Sequence, residues 1–410
     1  MSETQSHSGL TTAFVATAFL APVVAATAPK GVAPLFVLFA LAAIGLFRRA
    51  TGGWPRPDRA VAAILAAIAL FGAASLGWTA GLPADAVTWI VQTAPVFGLG
   101  VLLVPTARRI DATGRRRIGL ALLAGCLLAL ALYILERKLL DRQIQPGLVA
   151  AALVLWPGLA VLPALPRPRL IGLGLIAAVL VTSVKFGSLA AVVAVLFGGA
   201  VAGLAVLAPR LTPAALGAAF VAWTLIAPFA ATHLPDPETA ANRVPMIANS
   251  TLHRLAIYRG VGDLIVQAPI LGHGANSARG IPEGQNRIDY DFTVGEKIYA
   301  AHTELIPLHP HNAVLQVWLE LGLVGALLTC ALIVVVLRAI VASTEGSGRV
   351  LALAAFAAVF AVQNVSFGAW QSWWLCLMLI LATLGQATLA RREQPQGLGP
   401  SATSVKKQAL

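Results

Sequence analysis

The sequence has few charged residues and few cysteines. Only 11% of its 410 residues are Asp, Glu, Lys or Arg, whereas about 25% is usual in soluble domains. With 58% hydrophobic residues, this scarcity of charge excludes a soluble globular enzyme and a disordered chain. The three cysteines all lie inside apolar runs, which indicates packing rather than a disulfide framework or a metal cluster. The remaining class is an all-α polytopic membrane protein.

Long apolar runs predict about twelve transmembrane helices, since roughly 20 apolar residues cross a bilayer. The predicted spans are residues 9–28, 32–47, 60–78, 86–104, 117–135, 146–163, 168–184, 188–207, 213–231, 313–337, 350–367 and 370–389. No positive charge precedes the first run and no convincing cleavage site follows it. We therefore expect a span there rather than a signal peptide.

The basic residues predict the orientation of these spans. Every second connection, together with the two terminal segments, holds 18 of the 29 basic residues and 5 of the 17 acidic ones. Basic residues mark the cytoplasmic side, so both termini are predicted to be cytoplasmic. That side carries a balance of +13 and the outer side a balance of −1, so the net charge of +12 indicates orientation and not a nucleic-acid partner.

These patterns divide the chain into four parts. Residues 1–231 contain nine predicted spans, and residues 312–390 contain three more. Residues 232–311 form one long loop on the outer, periplasmic side, with short helices of its own. Loops longer than about 15 residues are usually functional or carry their own structure. Residues 391–410 have the composition of a disordered cytoplasmic tail.

The long loop concentrates histidine and arginine. It holds six of the seven histidines, namely His233, His253, His273, His302, His309 and His311. Histidine exchanges its proton near neutral pH, and arginine binds phosphate in a bidentate manner. The loop is therefore a candidate for general-base chemistry on a phosphate-bearing substrate. The structural alternative, that polar residues simply collect in an outer loop, stays open for each residue.

A short amphipathic helix is predicted after Asn249, with Arg254 in its first turns. Its apolar positions share one face at helical spacing, and Gly272 and Gly274 suit the turn that ends it. We expect this helix to lie on the membrane surface. Arg254 is then either a phosphate-binding residue or a surface charge that contacts lipid headgroups.

A second feature is the segment Leu308-His309-Pro310-His311-Asn312, which leads directly into an apolar span. Pro310 places His311 and Asn312 at a helix N-terminus. Free N–H groups there suit an anion and keep an imidazole neutral, as a general base requires. Asn312 could alternatively serve only as the N-cap of that helix.

The span that follows contains two polar residues and two glycines at helical spacing. Gln316 and Glu320 are one turn apart in an otherwise apolar helix, which predicts a functional role for them. Gly322 and Gly325 predict the close approach of a neighbouring helix.

The pair His311-Asn312, followed after nine residues by Gly322-Leu323-Val324-Gly325, resembles the histidine motif of the O-antigen ligases, H-[N/S/Q]-x9-G-x-x-[G/T/Y]. Twelve spans with one long periplasmic loop near the C-terminal third are similar to the same superfamily. The family also has an arginine motif, R-x3-L. Arg254 matches its arginine, but Tyr258 stands in the position of the leucine, and the polymerase-type pattern G-R-x-x-x-W fits about equally loosely.

The resemblance implies a glycosyltransferase-C-like enzyme without metal or cofactor, in the bacterial inner membrane. Such an enzyme moves a glycan from an undecaprenyl-pyrophosphate carrier onto a sugar of lipid A–core, with its active site facing the periplasm. His311 would be the general base, Arg254 would bind the pyrophosphate, and direct displacement would invert the anomeric carbon.

Further residues are candidates for binding the pyrophosphate or the glycan. They are Arg142, Lys185, Arg259, His309 and Asn312. Lys185 follows from the resemblance, because family members are similar in having a Ser-Arg pair at the outer end of a span. Ser183-Val184-Lys185 departs from that pair by one residue and by Lys for Arg, so bidentate phosphate binding would be lost.

Alternative interpretations remain open. An O-antigen polymerase uses the same carrier, and a protein O-oligosaccharyltransferase resembles this architecture with a longer chain. An anion transporter would place ionisable groups inside its spans, which are almost free of charge here. A metal site could use Asp236-Pro237-Glu238, or the trio His302, His309 and His311.

Overall fold

The computed structural model describes residues 3–140, 145–244, 249–294 and 297–391. The helices are α1 Glu3–Thr27, α2 Val32–Thr51, α3 Arg59–Ala74, α4 Pro83–Leu103, α5 Ala112–Leu140, α6 Gln145–Gly158, α7 Pro168–Lys185, α8 Leu189–Leu207, α9 Thr212–Thr232, α10 Pro237–Arg243, α11 Asn249–Gln267, α12 Ala313–Ser343, α13 Gly346–Gln363 and α14 Ser372–Leu389. The strands are β1 Arg287–Val294 and β2 Lys297–Glu304. The predicted tail falls, beyond Arg391, outside the described residues.

Twelve helices of the described chain are long and apolar enough to cross a membrane, which confirms the predicted all-α membrane fold. They are α1–α9 and α12–α14, some with a short 3-10 extension at one end. Helix α6 lies at the centre of the bundle, and every residue from Gly147 to Gly158 is buried. Pro157 lies in its last turn, and a 3-10 segment, Leu159–Ala164, continues the chain.

The loop between α9 and α12 carries two helices, α10 and α11, and a hairpin. Strands β1 and β2 pair antiparallel, with Arg287 opposite Glu304 and Val294 opposite Lys297. The hairpin was not predicted from the sequence, although Ile288-Asp289-Tyr290-Asp291-Phe292 alternates apolar and acidic residues with the period of a strand.

Helix α12 is broken at Gly322, whose φ of 58° and ψ of −154° are not helical. A Cβ at this position would lie 2.4 Å from the carbonyl oxygen of Ile270, so the contact requires glycine. The prediction of a neighbouring helix at Gly322 was wrong, because a loop, residues 269–274, packs against α12 at the break.

That loop satisfies the backbone groups which the break in α12 leaves without helical partners. His273 and Gly274 donate their N–H groups to the carbonyls of Leu319 and Glu320, each at 2.8 Å. On the other side of the break, Leu323 donates its N–H to the Pro269 carbonyl at 2.9 Å. Nine residues of α12 before Gly322 thus form a separate short helix that begins at the histidines.

Candidate functional site

The histidine turn, residues 308–312, joins the outer loop to the start of α12. Asn312 caps the helix, because its side-chain oxygen accepts the Leu315 N–H at 3.1 Å. His311 adopts a positive φ of 54°, which is uncommon outside glycine. The backbone N–H of His311 donates to Nδ1 of His309 at 3.1 Å. This contact and the cap fix the backbone of the turn before the helix begins.

One ring nitrogen of His311 is hydrogen-bonded to the backbone, and the other is available as a proton acceptor. Its Nδ1 lies 2.8 Å from the Ser366 carbonyl oxygen. Because a carbonyl can only accept, the proton of the neutral ring must be on Nδ1 and the lone pair on Nε2. Burial lowers the pKa of His311 below 6.5, and the nearby charge of Arg254 lowers it further, against the opposing effect of the Ser366 hydrogen bond. The ring is therefore neutral at physiological pH, with Nε2 as a proton acceptor.

His309 supports His311 and is fixed in the opposite tautomer. Its Nδ1 accepts the His311 N–H, so the neutral ring carries its proton on Nε2, 2.9 Å from the side-chain amide of Gln371. The amide orientation that satisfies both groups points the Gln371 oxygen at this proton. Burial lowers the pKa of His309 to about 3, with smaller contributions from His311 and Arg279. His309 is thus neutral and fixes the position of His311, and the centroids of the two rings lie 4.4 Å apart.

The outer turn, residues 364–371 between α13 and α14, supplies the partners of both histidines. Ser366 provides the carbonyl for His311, and Gln371 provides the amide for His309. Sequence reasoning missed this turn. The available signal was the polar residues Asn364, Gln371 and Ser372 between two apolar spans.

Arg254 lies on α11 and approaches the same place. One guanidinium nitrogen, Nη1, donates to the Ser250 carbonyl at 3.0 Å, whereas the buried Nε has no hydrogen-bond partner within the described chain. The charge of Arg254 lowers the pKa of His311, as noted, and also contributes to lowering that of His253, which burial depresses first. A guanidinium with unused donors beside a neutral base is suited to binding an anion.

Tyr258 stands where the resembling arginine motif has leucine, and it links α11 to two turns. Its hydroxyl lies 3.2 Å from the carbonyl oxygens of both His311 and Asn364, and donates to them. Burial raises the pKa of Tyr258 to about 12, so the hydroxyl keeps its proton. A leucine could not make this link, which ties α11 to the histidine turn and to the outer turn.

Other predicted residues lie elsewhere. Arg259 donates to the Leu234 carbonyl at 3.4 Å. Hydrogen bonds from Thr239 lower the pKa of Asp236 and the charge of Arg259 adds the smallest contribution, so Arg259 lies near the start of α10. Lys185 is exposed at the end of α7, with its ammonium 5.8 Å from the Phe186 ring, and α7 packs mainly on α6 and α8. Arg142 lies outside the described residues.

The carboxylate of Asp236, considered as a metal ligand, caps α10. Its two oxygens accept the backbone N–H and the hydroxyl of Thr239, each at 2.8 Å. Within the described ranges, no three His, Cys, Asp or Glu side chains come together as a metal site. The side chain of His302 is not among the described ones, so the three-histidine alternative lies outside them.

Comparison with known proteins bears on the region that contains this site. Residues 170–330 match the family model described as O-antigen ligase, which confirms the predicted resemblance over α11, the histidine turn and the break in α12. Curated relatives named "Putative polysaccharide ligase" are also similar to part of the chain. The protein of Rickettsia conorii is 33% identical over 141 residues, which cover 34% of this chain and 32% of that protein.

Two further relatives give the same result. The Rickettsia prowazekii protein is 34% identical over 141 residues, 34% of this chain and 33% of its own length. The Rickettsia typhi protein is 31% identical over 189 residues, 46% of this chain and 44% of its own. The chain therefore matches less than half the length of these relatives.

Proposed function

We propose that this protein is a glycosyltransferase, an O-antigen ligase, that transfers O-antigen from undecaprenyl pyrophosphate onto a sugar of lipid A–core. One observation carries the proposal: His311, in the family's motif, is held through Nδ1 by the Ser366 carbonyl at 2.8 Å, with Arg254 close enough to lower its pKa. A base with a fixed tautomer and an adjacent guanidinium are the two groups that transfer from a pyrophosphate-linked sugar requires.

The reaction we propose is a direct displacement. His311 Nε2 takes the proton from an acceptor hydroxyl as its oxygen forms a bond to the anomeric carbon. The bond from that carbon to the pyrophosphate oxygen breaks, and the electron pair leaves with the pyrophosphate, whose charge Arg254 stabilises. Attack opposite the leaving group inverts the anomeric carbon. The arginine supplies the charge stabilisation, so the proposed mechanism uses no metal ion.

The membrane part of the molecule supports a lipid-linked donor. An apolar cavity of about 680 Å³ has Ala313, Val317 and Trp370 in its lining, close below the histidine turn. It continues along α12 to Thr344 and Leu389 at the other ends of α12 and α14. A polyprenyl chain would fit this lining, and its pyrophosphate would then meet Arg254 and His311.

The charge asymmetry of the loops supports an active site on the periplasmic face of the bacterial inner membrane, with both termini cytoplasmic. In this topology residues 232–311 contribute most of the site, and the turn between α13 and α14 completes it. Arg142 and Lys185 stay predictions as further phosphate contacts from other outer loops.

The test is complementation of a strain that lacks this protein, with lipopolysaccharide analysed by gel. We expect His311→Ala to give unmodified lipid A–core while carrier-linked polymer accumulates. His233→Ala is the matched control, because His233 bonds only within the end of α9 among the described contacts, and it should give wild-type ladders.

Four results would contradict the proposal. Wild-type ladders from His311→Ala would exclude the general-base role. Loss of long chains with single repeats still attached would indicate a polymerase, and normal ladders from the deletion strain would leave transport of another solute. Loss of transfer after dialysis of purified protein against EDTA would contradict the metal-independent mechanism.

A further inference from the structure

Glu320 is a fully buried carboxylate at the end of the short first helix of α12. Hydrogen-bond donors from different parts of the chain surround it. Its Oε1 accepts Nε2 of Gln316 at 2.9 Å. Its Oε2 accepts the indole N–H of Trp370 and the backbone N–H of Asn276, both at 2.6 Å. These partners are all hydrogen-bond donors. The surroundings of Glu320 therefore suit a carboxylate, which accepts at both oxygens.

Gln316 extends this arrangement to the outer turn. Its amide nitrogen donates to Glu320, and its amide oxygen accepts the backbone N–H of Ala369 at 2.8 Å. Ala369 and Trp370 are adjacent in the outer turn, so the Gln316–Glu320 pair holds that turn at two consecutive residues. The same turn presents the Ser366 carbonyl to His311 and the Gln371 amide to His309.

We infer that Glu320 is the positioning residue of the active site, which acts through Gln316 and the outer turn to keep the Ser366 carbonyl on Nδ1 of His311. Without that carbonyl, the ring of His311 is free to carry its proton on Nε2 and loses its function as a base. This inference rests on the proposed function, because it assigns Glu320 to the reaction of His311.

Asn276 gives the carboxylate a third connection. Its N–H bond to Glu320 holds the start of the short segment Ser277–Arg279, and the charge of Arg279 acts on His309. Gly368 shows how closely these parts pack, since a Cβ there would lie 2.9 Å from Cγ of His309 and 3.1 Å from Oε1 of Gln316. A small displacement of Gln316 would therefore reach His309 through Gly368.

The hydrogen-bond pattern allows a sharp test with two amide–carboxylate changes. In Glu320→Gln, the new NH2 group must face a donor, either Gln316 on one side or Trp370 and Asn276 on the other. Rotating the Gln316 amide would turn its own NH2 group toward the Ala369 N–H, so two donors would again face each other. In the double variant Gln316→Glu/Glu320→Gln every group is satisfied again, because Glu at 316 accepts from Ala369 and from the amide at 320.

The experiment measures transfer by the purified full-length protein in lipid nanodiscs, from a carrier-linked donor to lipid A–core. We expect Glu320→Gln to lower kcat about 100-fold, the size of effect that a misplacement of 1 Å produces, with little change in the KM of the donor. The double variant should recover at least tenfold. Thr388→Val in α14 is the control, because among the described contacts its hydroxyl donates to the Leu384 carbonyl of its own helix, and it should match wild type.

A second readout does not depend on the reaction. In protein labelled with ¹⁵N in its imidazoles, His311, assigned by comparison with His311→Asn, should show protonated Nδ1 and bare Nε2 in wild type. Glu320→Gln should shift this tautomer and the double variant should restore it. If Glu320→Gln does not fold, Gln316→Met, which removes both Gln316 bonds at similar volume, should lower kcat and shift the tautomer in the same way.

Wild-type kcat and tautomer in Glu320→Gln would overturn the inference, and so would a double variant that recovers neither. If wild-type protein transfers no glycan, the proposed function fails and the tautomer alone decides the inference. A shifted tautomer that the double variant restores would then support Glu320 as a positioning residue for His311 in a different reaction.

Discussion

The two parts of α12 on either side of Gly322 have a similar apolar composition but differ in burial and in the partners of their polar side chains. All nine residues from Ala313 to Leu321 are buried, and they include Gln316 and Glu320. After the break, Leu327 is 52% exposed, and side chains such as this face the lipid. Hydropathy treats the helix as one span of 31 residues. The first part packs with the histidine turn and the turn 364–371, and the second part resembles an ordinary membrane helix.

An apolar helix can therefore bury polar side chains when each of them has a hydrogen-bond partner. Burying a polar group without a hydrogen bond is costly, and here Gln316 and Glu320 bond to each other and to the outer turn. The break exposes backbone groups, and Pro269–Gly274 satisfies them. In the second part, Thr329 only bonds back to the carbonyl of Gly325 within its own helix.

The largest expected effect comes from removing the break itself with Gly322→Ala. The φ and ψ of Gly322 fall in a region that is essentially restricted to glycine and costs about 1–3 kcal/mol for other residues. The added Cβ would also collide with the Ile270 carbonyl. We expect a lower thermal midpoint and complete loss of transfer, measured on purified protein. Gly203→Ala in α8, with open space around the Cβ, should match wild type. Normal melting and transfer in Gly322→Ala would mean that α12 can run unbroken.

The next largest effect distinguishes two arginines of α11, of which Arg254 acts on the start of α12 and Arg259 does not. Arg254 acts on His311, while Arg259, five residues later on the same helix, contacts Leu234. We expect Arg254→Ala to lower kcat/KM about 100-fold, since loss of a charge-stabilising donor costs about that much. Arg254→Lys should recover part of it without the bidentate geometry. Arg259→Ala should change kcat/KM less than threefold, and equal losses for the two alanine variants would contradict this assignment.

The smallest effect is a pH dependence that originates at the start of α12. Burial and Arg254 lower the pKa of His311 below 6.5, so the neutral base is present throughout the neutral range. We expect kcat/KM to be constant between about pH 7 and 8 and to fall about tenfold per pH unit only below the lowered pKa. A profile of initial rates against pH checks this. A break in the profile above 6.5 would show that His311 is not held as the structure indicates.

The sequence predicted the membrane spans and the histidine turn because both depend on local patterns. Apolar runs have the length of the bilayer, and Pro310 with Asn312 marks the start of a helix. The partners of the histidines could not be predicted, because Ser366 contributes a backbone carbonyl, which every residue has. The place of Tyr258 and the separation of Arg254 from Arg259 depend on how α11 packs against the turn. The sequence predicted a close helix contact at Gly322 instead of a break, because the spacing of glycines does not distinguish a residue of positive φ from one in close packing.

We propose His311 as the base of a transfer reaction at the start of α12. The most direct test of this proposal is the rate of glycan transfer by purified protein, with a carrier-linked donor and lipid A–core, comparing wild type, His311→Ala and His233→Ala. We predict that His311→Ala lowers kcat about 1000-fold, within the range for loss of a general base, while His233→Ala keeps the wild-type rate. A His311→Ala protein that folds normally and retains more than a tenth of wild-type kcat would contradict it.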